Sequence, residues 1–227
     1  MITVEFKGKR NQIFDCIVSH LDRRKRADEQ MELIEIEGRS GTLVDRYGTH
    51  HSYEREMRLA NIREENVAGI NKWLSGRGIL RTSLDPHGHF YADIIGQLTR
   101  EWIGCQSNYI SATFLVEPYF YLDAGSDPIE ITSSTQLSNL GTIEAAPLIT
   151  VYGSGDGEIT INDQIVRLSG LDSHLTIDSR LLHVHKDGLP AGRVMSGEFP
   201  VLEEGTNIVS FSGGITGLSL TPRWREL

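Results

Sequence analysis

The chain has 227 residues, 39% hydrophobic and 23% charged, a composition that suits a folded protein of two ordinary domains or one long one. No apolar run approaches the ~20 residues needed to span a bilayer. The opening Met1-Ile-Thr-Val-Glu-Phe-Lys7 reads as a strand and not as a signal peptide, so folding in a cytoplasm is expected. The net charge of −9 is unevenly spread: residues 1–118 hold 16 Lys/Arg against 17 Asp/Glu, and residues 119–227 hold 6 against 14. An acidic second half repels phosphate and argues against a nucleic-acid partner.

In chain order, Met1–Phe6 alternates apolar and polar residues as a half-buried strand does. Asp22-Arg-Arg-Lys-Arg-Ala-Asp-Glu29 reads as a solvated loop whose bases are balanced by Asp22, Asp28 and Glu29. Leu33–Glu37 and Ser52–Leu59 read as strands, with an arm between them from Gly38 to Gly48. The arm has glycines at both ends and few large apolar residues, so it can bury little against its own domain and is expected to project. The mixed charges of the following strand suit either a blunted sheet edge or polar pairing with a neighbouring subunit. Glu64–Gly76 is the one convincing helix. It has acids in its first turn, an apolar stripe of Val67, Ile70, Trp73 and Leu74, and Gly76 as a stop. A strand at Gly78–Leu84, a turn at Asp85–Gly88, and strands at Phe90–Gln97 and Ile110–Glu117 follow.

The composition shift at Glu117-Pro118, beside Asp123-Ala-Gly-Ser-Asp-Pro128, marks a boundary between domains at 1–122 and 123–227. Beyond it everything reads as β: Ile129–Thr132, Pro147–Tyr152, Gly157–Ile161, Gln164–Leu168, His174–Asp178, Leu181–His185, Asn207–Ser212 and Gly217–Thr221. Short strands at such regular intervals suggest a sandwich or jelly roll. Cys16 and Cys105, a lone and distant pair, read as buried thiols.

Nothing in the sequence nominates a catalytic residue, a metal ligand or a cofactor site. His87-Gly-His89 and His183-Val-His185 have the spacing of strand-borne metal ligands, but no further ligands accompany them, and surface histidines are the expectation. His50-His51 carries no directional signal. Gly153-Ser-Gly-Asp-Gly-Glu158 lacks the helix and Lys-Ser/Thr of a phosphate loop and the alternating oxygens of a calcium loop, so it reads as a tight turn. No nucleophile elbow is present, and no carboxylate pair stands out. The aromatics of the second half mostly alternate with Val, Leu and Ile, as core residues do.

Several segments, taken in order, carry a resemblance. They are Gly38-Arg-Ser-Gly41, Lys72-Trp-Leu74, Leu84-Asp-Pro86, Tyr91-Ala-Asp-Ile-Ile-Gly96, Asn139–Ile149, Gly197–Ser212 and the closing Thr221-Pro-Arg-Trp-Arg225. Together they resemble the distal tail (Dit) proteins of long-tailed phages and prophages of Gram-positive bacteria. Ser40 stands where that pattern has Asp. The resemblance implies a mainly β protein. Its N-terminal α+β domain would carry one helix on a β-sandwich or split barrel, and its C-terminal domain would be a galectin-like or jelly-roll sandwich. It further implies a homohexameric ring in the virion tail tip, assembled in the host cytoplasm and joining the tail tube to tip and receptor-binding proteins. Membrane and cofactor play no part in it. The arm residues Arg39, Ser40, Gly41, Thr42, Leu43, Val44, Asp45, Arg46 and Tyr47 would strap one subunit to the next. The alternative is a carbohydrate-binding module whose second domain holds a host cell-wall saccharide.

Overall fold

The computed structural model describes residues 1–103 and 107–227, and Cys105 lies outside them. The chain divides into two compact units, Met1–Phe120 with Leu227, and Tyr121–Glu226. Both are built from antiparallel sheet, so the protein is mainly β.

The first unit contains β1 (Val4–Phe6), β2 (Lys9–Arg10), β3 (Ile17–Leu21), β4 (Glu29–Glu35), β5 (Thr42–His50), β6 (Tyr53–Ala60), helix α1 (Val67–Trp73), β7 (Arg77–Thr82), β8 (Asp85–Ile103) and β9 (Ser107–Val116). Seven of these strands form one sheet in the order β2-β1-β7-β8-β9-β6-β3, while β4 and β5 pair with each other as a separate hairpin. The turn expected at Asp85–Gly88 falls earlier, at Ser83-Leu84, because Thr82 and Asp85 are already paired across it. Asp85 to Gly88 therefore begin β8. The helix is shorter than Glu64–Gly76 suggests: Glu64–Asn66 form a 3₁₀ turn and α1 ends at Trp73. Its stripe behaves as patterned. Ile70, Trp73 and Leu74 are buried, Trp73 stacks on Phe14 at 5.1 Å, and its Nε1 donates to the Phe6 carbonyl at 2.9 Å. A buried indole that finds a hydrogen-bond partner adds orientation to the apolar area it removes from water. Cys16 is a buried free thiol, and burial pushes its pKa up to about 11.

The mixed charge of Ser52–Leu59 suits a blunted sheet edge or polar pairing with a neighbouring subunit, but β6 lies inside the sheet between β9 and β3. Its inward face is Arg55, Met57 and Leu59, each fully buried. Arg55 is therefore a core residue. Its Nε and Nη2 donate to the Asp22 carbonyl at 3.0 and 2.7 Å, and Nη2 also donates to Asp85 Oδ2 at 3.0 Å. The guanidinium lies 5.2 Å from the Phe90 ring centre. Asp85 Oδ2 also accepts from the Thr82 hydroxyl at 3.0 Å, so one carboxylate ties together the β7–β8 turn and the arginine.

The second unit contains β10 (Phe120–Leu122, where the chain crosses from the first unit), β11 (Ile129–Ile131), β12 (Thr135–Ser138), β13 (Leu148–Ile161), β14 (Gln164–Asp178), β15 (His183–Lys186), β16 (Leu189–Pro190), β17 (Met195–Ser196), β18 (Thr206–Thr221) and β19 (Arg225–Glu226). Its main sheet runs β11-β18-β13-β14-β15-β16, with β12 on β18 and β17 on β14. Three pairs of expected short strands are in fact single long strands, β13, β14 and β18. Gly153–Glu158 is accordingly a bulge within β13 and not a tight turn, with the register shifting between Gly155 and Gly157. A bulge bends a strand and increases its local twist. Ile149 and Val151 before it and Ile159 and Ile161 after it belong to one buried cluster, so both halves of the bent strand face a common core. The bend needs glycine. A Cβ on Gly214 would come within 1.8 Å of the Ser154 carbonyl oxygen, and one on Gly153 within 2.2 Å of the Gly214 carbonyl oxygen.

Asp178 closes this unit's polar network. Arg223 meets it with Nη1 at 2.7 Å and Nη2 at 3.1 Å, and the amides of Arg180 and Leu181 donate to Oδ1. Burial pushes the carboxyl's pKa up, but Arg223 and the two amides together outweigh this and hold it below its ordinary 3.8.

Two outcomes are expected. Arg55→Leu should destabilise the first unit by about 3 kcal/mol in urea unfolding, because it strands the largely covered Asp85 carboxylate. A depressed carboxylate pKa contributes stability that is present above the unfolded value and lost as pH falls through the folded one. Unfolding of the second unit should therefore become easier as pH drops below about 4, and Asp178→Asn should flatten that dependence in pH-dependent calorimetry.

Candidate functional site

The arm is the β4–β5 hairpin. The strand expected to precede the arm, Leu33–Glu37, turns out to supply its outgoing half, so the projecting element is about twice the length that Gly38–Gly48 suggests. The register pairs Met31 with Arg46, Glu32 with Asp45, Leu33 with Val44, Ile34 with Leu43 and Glu35 with Thr42. The tip turns through Gly38 and Gly41, at φ of +81° and +91°, and the Arg39 amide donates to the Ile36 carbonyl at 3.1 Å. At the root, the His51 amide donates to the Asp28 carbonyl at 2.8 Å. Arg39, Ser40, Gly41, Thr42, Leu43, Val44, Asp45, Arg46 and Tyr47 are all exposed.

The hairpin exposes apolar area that a strand pair normally covers. Leu33 is 65% exposed and Tyr47 55%, and Met31, Ile36, Leu43 and Val44 are exposed as well. A two-stranded hairpin is marginal in water without a third strand or a covering surface. Its internal polar contacts are few: Arg46 pairs with Glu29, Tyr47 Oη donates to Glu32 Oε2 at 2.8 Å, and Thr49 Oγ1 donates to Gln30 Oε1 at 2.8 Å. The Glu32 hydrogen bond, together with the negative charge of Glu32 and Asp45, raises the Tyr47 pKa. Spacing alone foresees an exposed arm. It cannot foresee that Glu32 and Asp45 face each other, because that register is set by where the tip turns between Glu35 and Thr42.

The other candidates separate. His87 sits in a left-handed conformation at φ +79°, while His89 is buried with its ring edge-on to Tyr91. His183 and His185 stack with centroids 5.5 Å apart; His183 is exposed and His185 half-buried. Among the described residues, no three His, Cys, Asp or Glu side chains converge to hold a metal ion. In the second unit Trp224 and Tyr121 are buried, whereas Tyr152 is exposed. No helix among the described residues is long and apolar enough to cross a membrane.

No family model matches the chain, and no curated protein matches it in sequence. The fold has a solved counterpart, the crystal structure of the SPP1 Dit (gp 19.1) protein, described as a paradigm of the hub adsorption apparatus in phages that infect Gram-positive bacteria. The two are 14% identical, with a TM-score of 0.73 over 97% of this chain and 98% of the other. At that identity the correspondence establishes a shared fold: this chain is a mainly β protein with the architecture of the SPP1 Dit protein.

Proposed function

We propose that this chain is a non-catalytic structural protein of a phage or prophage tail tip. It forms a homohexameric ring that joins the tail tube to the tip and its receptor-binding apparatus. The observation that carries this reading is a fold correspondence running through both units to a hub protein of the adsorption apparatus. The exposed β4–β5 hairpin supports it. Closed rings are built from heterologous interfaces, in which one surface of a subunit meets a different surface of the next. A hairpin that displays Leu33, Val44 and Tyr47 without a core of its own is suited to be one of those surfaces. The proposal extends to domains at 1–122 and 123–227, the first of them forming the ring.

The saccharide-binding reading has one observation in its favour, the exposed Tyr152 ring. A single ring is a small stacking platform, and binding of cell-wall polysaccharide lost on Tyr152→Ala would be its signature.

Deleting Arg39–Tyr47 tests the ring reading. Two folded units that no longer assemble are expected by light scattering and negative-stain imaging. A ring that survives the deletion would remove the hairpin from the interface.

A further inference from the structure

The two faces of the hairpin are chemically unequal. Strand alternation and register place Glu32, Ile34, Leu43, Asp45 and Tyr47 on one face. Glu32 and Asp45 are direct cross-strand partners, and like charges placed opposite one another destabilise a strand pair. The Tyr47 hydroxyl donates to Glu32 but neutralises neither carboxylate. The arm's two arginines lie elsewhere: Arg46 is on the opposite face with Glu29, and Arg39 is in the tip turn. From Glu29 to His50 the arm holds five Asp/Glu against those two arginines.

A surface of opposite charge precedes the hairpin in the loop between β3 and β4. Arg24 is engaged within its own unit, donating to the Leu227 carbonyl at 3.0 Å and lying over the Phe120 ring. Arg23, Lys25 and Arg26 are exposed, and Lys25 reaches Asp22 only at 3.9 Å. Ala27, buried, pins the loop so that these bases are displayed. Beside them opens a groove of about 470 Å³ lined by Arg23, Arg24, Ser83, Leu84 and Asp85. Leu84 is 40% exposed there, and the Asp85 carboxylate is already taken by Arg55.

We propose that the acidic face of one copy's hairpin docks on the Arg23–Lys25–Arg26 loop of a second copy, with Leu43 entering the groove over Leu84. The inference rests on the hairpin being an inter-subunit strap, and it names the surface that the strap grips. The occupant is argued from complementarity: an unrelieved carboxylate pair beside an apolar side chain meets three displayed cations beside an apolar groove. Strap and socket are different surfaces of one chain, the condition for head-to-tail closure.

Charge reversal tests this in the full chain. Glu32→Lys with Asp45→Lys keeps a like-charged pair within the hairpin and reverses only what it offers a partner. Arg23→Glu, Lys25→Glu and Arg26→Glu reverse the socket. Each set alone should raise the midpoint concentration for assembly, measured by sedimentation velocity, on the order of tenfold or more. The two sets combined should restore assembly, and wild-type assembly should weaken with added salt. Reversed variants that assemble like wild type, while the Arg39–Tyr47 deletion does not, would overturn the docking surface and leave the strap standing. If the deletion also assembles, both ideas fall. Folded single-set variants that stay apart even when the two sets are combined would overturn the pairing.

Discussion

A single buried guanidinium holds the platform from which the hairpin departs. Arg55 sits fully inside the first unit, bonded to the Asp22 carbonyl on one side and the Asp85 carboxylate on the other. Those contacts join three places distant in sequence: the loop that precedes the hairpin, the strand that follows it, and the β7–β8 turn. Taking a charge out of water is costly unless partners meet it. This site therefore fixes the geometry of its surroundings more than it adds net stability. Asp22 contributes twice, since its own carboxylate accepts the Glu56 amide at 3.1 Å, which lowers its pKa. The chain leading into the hairpin is thus tied to the sheet while the hairpin itself is uncovered.

A tied-down root and an exposed arm suit the structural role proposed. The hairpin's hydrogen-bonded strands present Leu33 and Val44 on one face and the Glu32–Asp45 pair on the other. The second unit solves a different problem, a sheet bent at the Gly153–Gly157 and Gly213-Gly214 crossing so that both halves of each long strand share one core.

The sequence conveyed some of this plainly. The stripe Ile70, Trp73 and Leu74 reported a helix packed on a sheet, and glycines bracketing a weakly apolar segment reported a projecting arm. It was silent where the outcome depended on register or on distant partners. Gly153–Glu158 looks like a turn because glycine and aspartate serve bulges and turns alike, and only the facing backbone of Ser154 and Gly214 decides between them. Alternation puts Arg55 on the face of Met57 and Leu59, but nothing in the sequence names its partners, Asp22 and Asp85, which lie 33 and 30 residues away. The like-charged pair on the arm could be seen only once the tip turn between Glu35 and Thr42 set the pairing. The order of the motifs, more than any single one, pointed to the fold that the SPP1 Dit correspondence shows.

The central claim, that the chain is a ring-forming structural hub, is tested most directly by the mass of the purified wild-type protein across a wide concentration range. Light scattering gives that mass, and negative-stain images of the main species accompany it. A species of six chains with a central opening is expected. A strict monomer at every concentration, with no ring in the images, would contradict it.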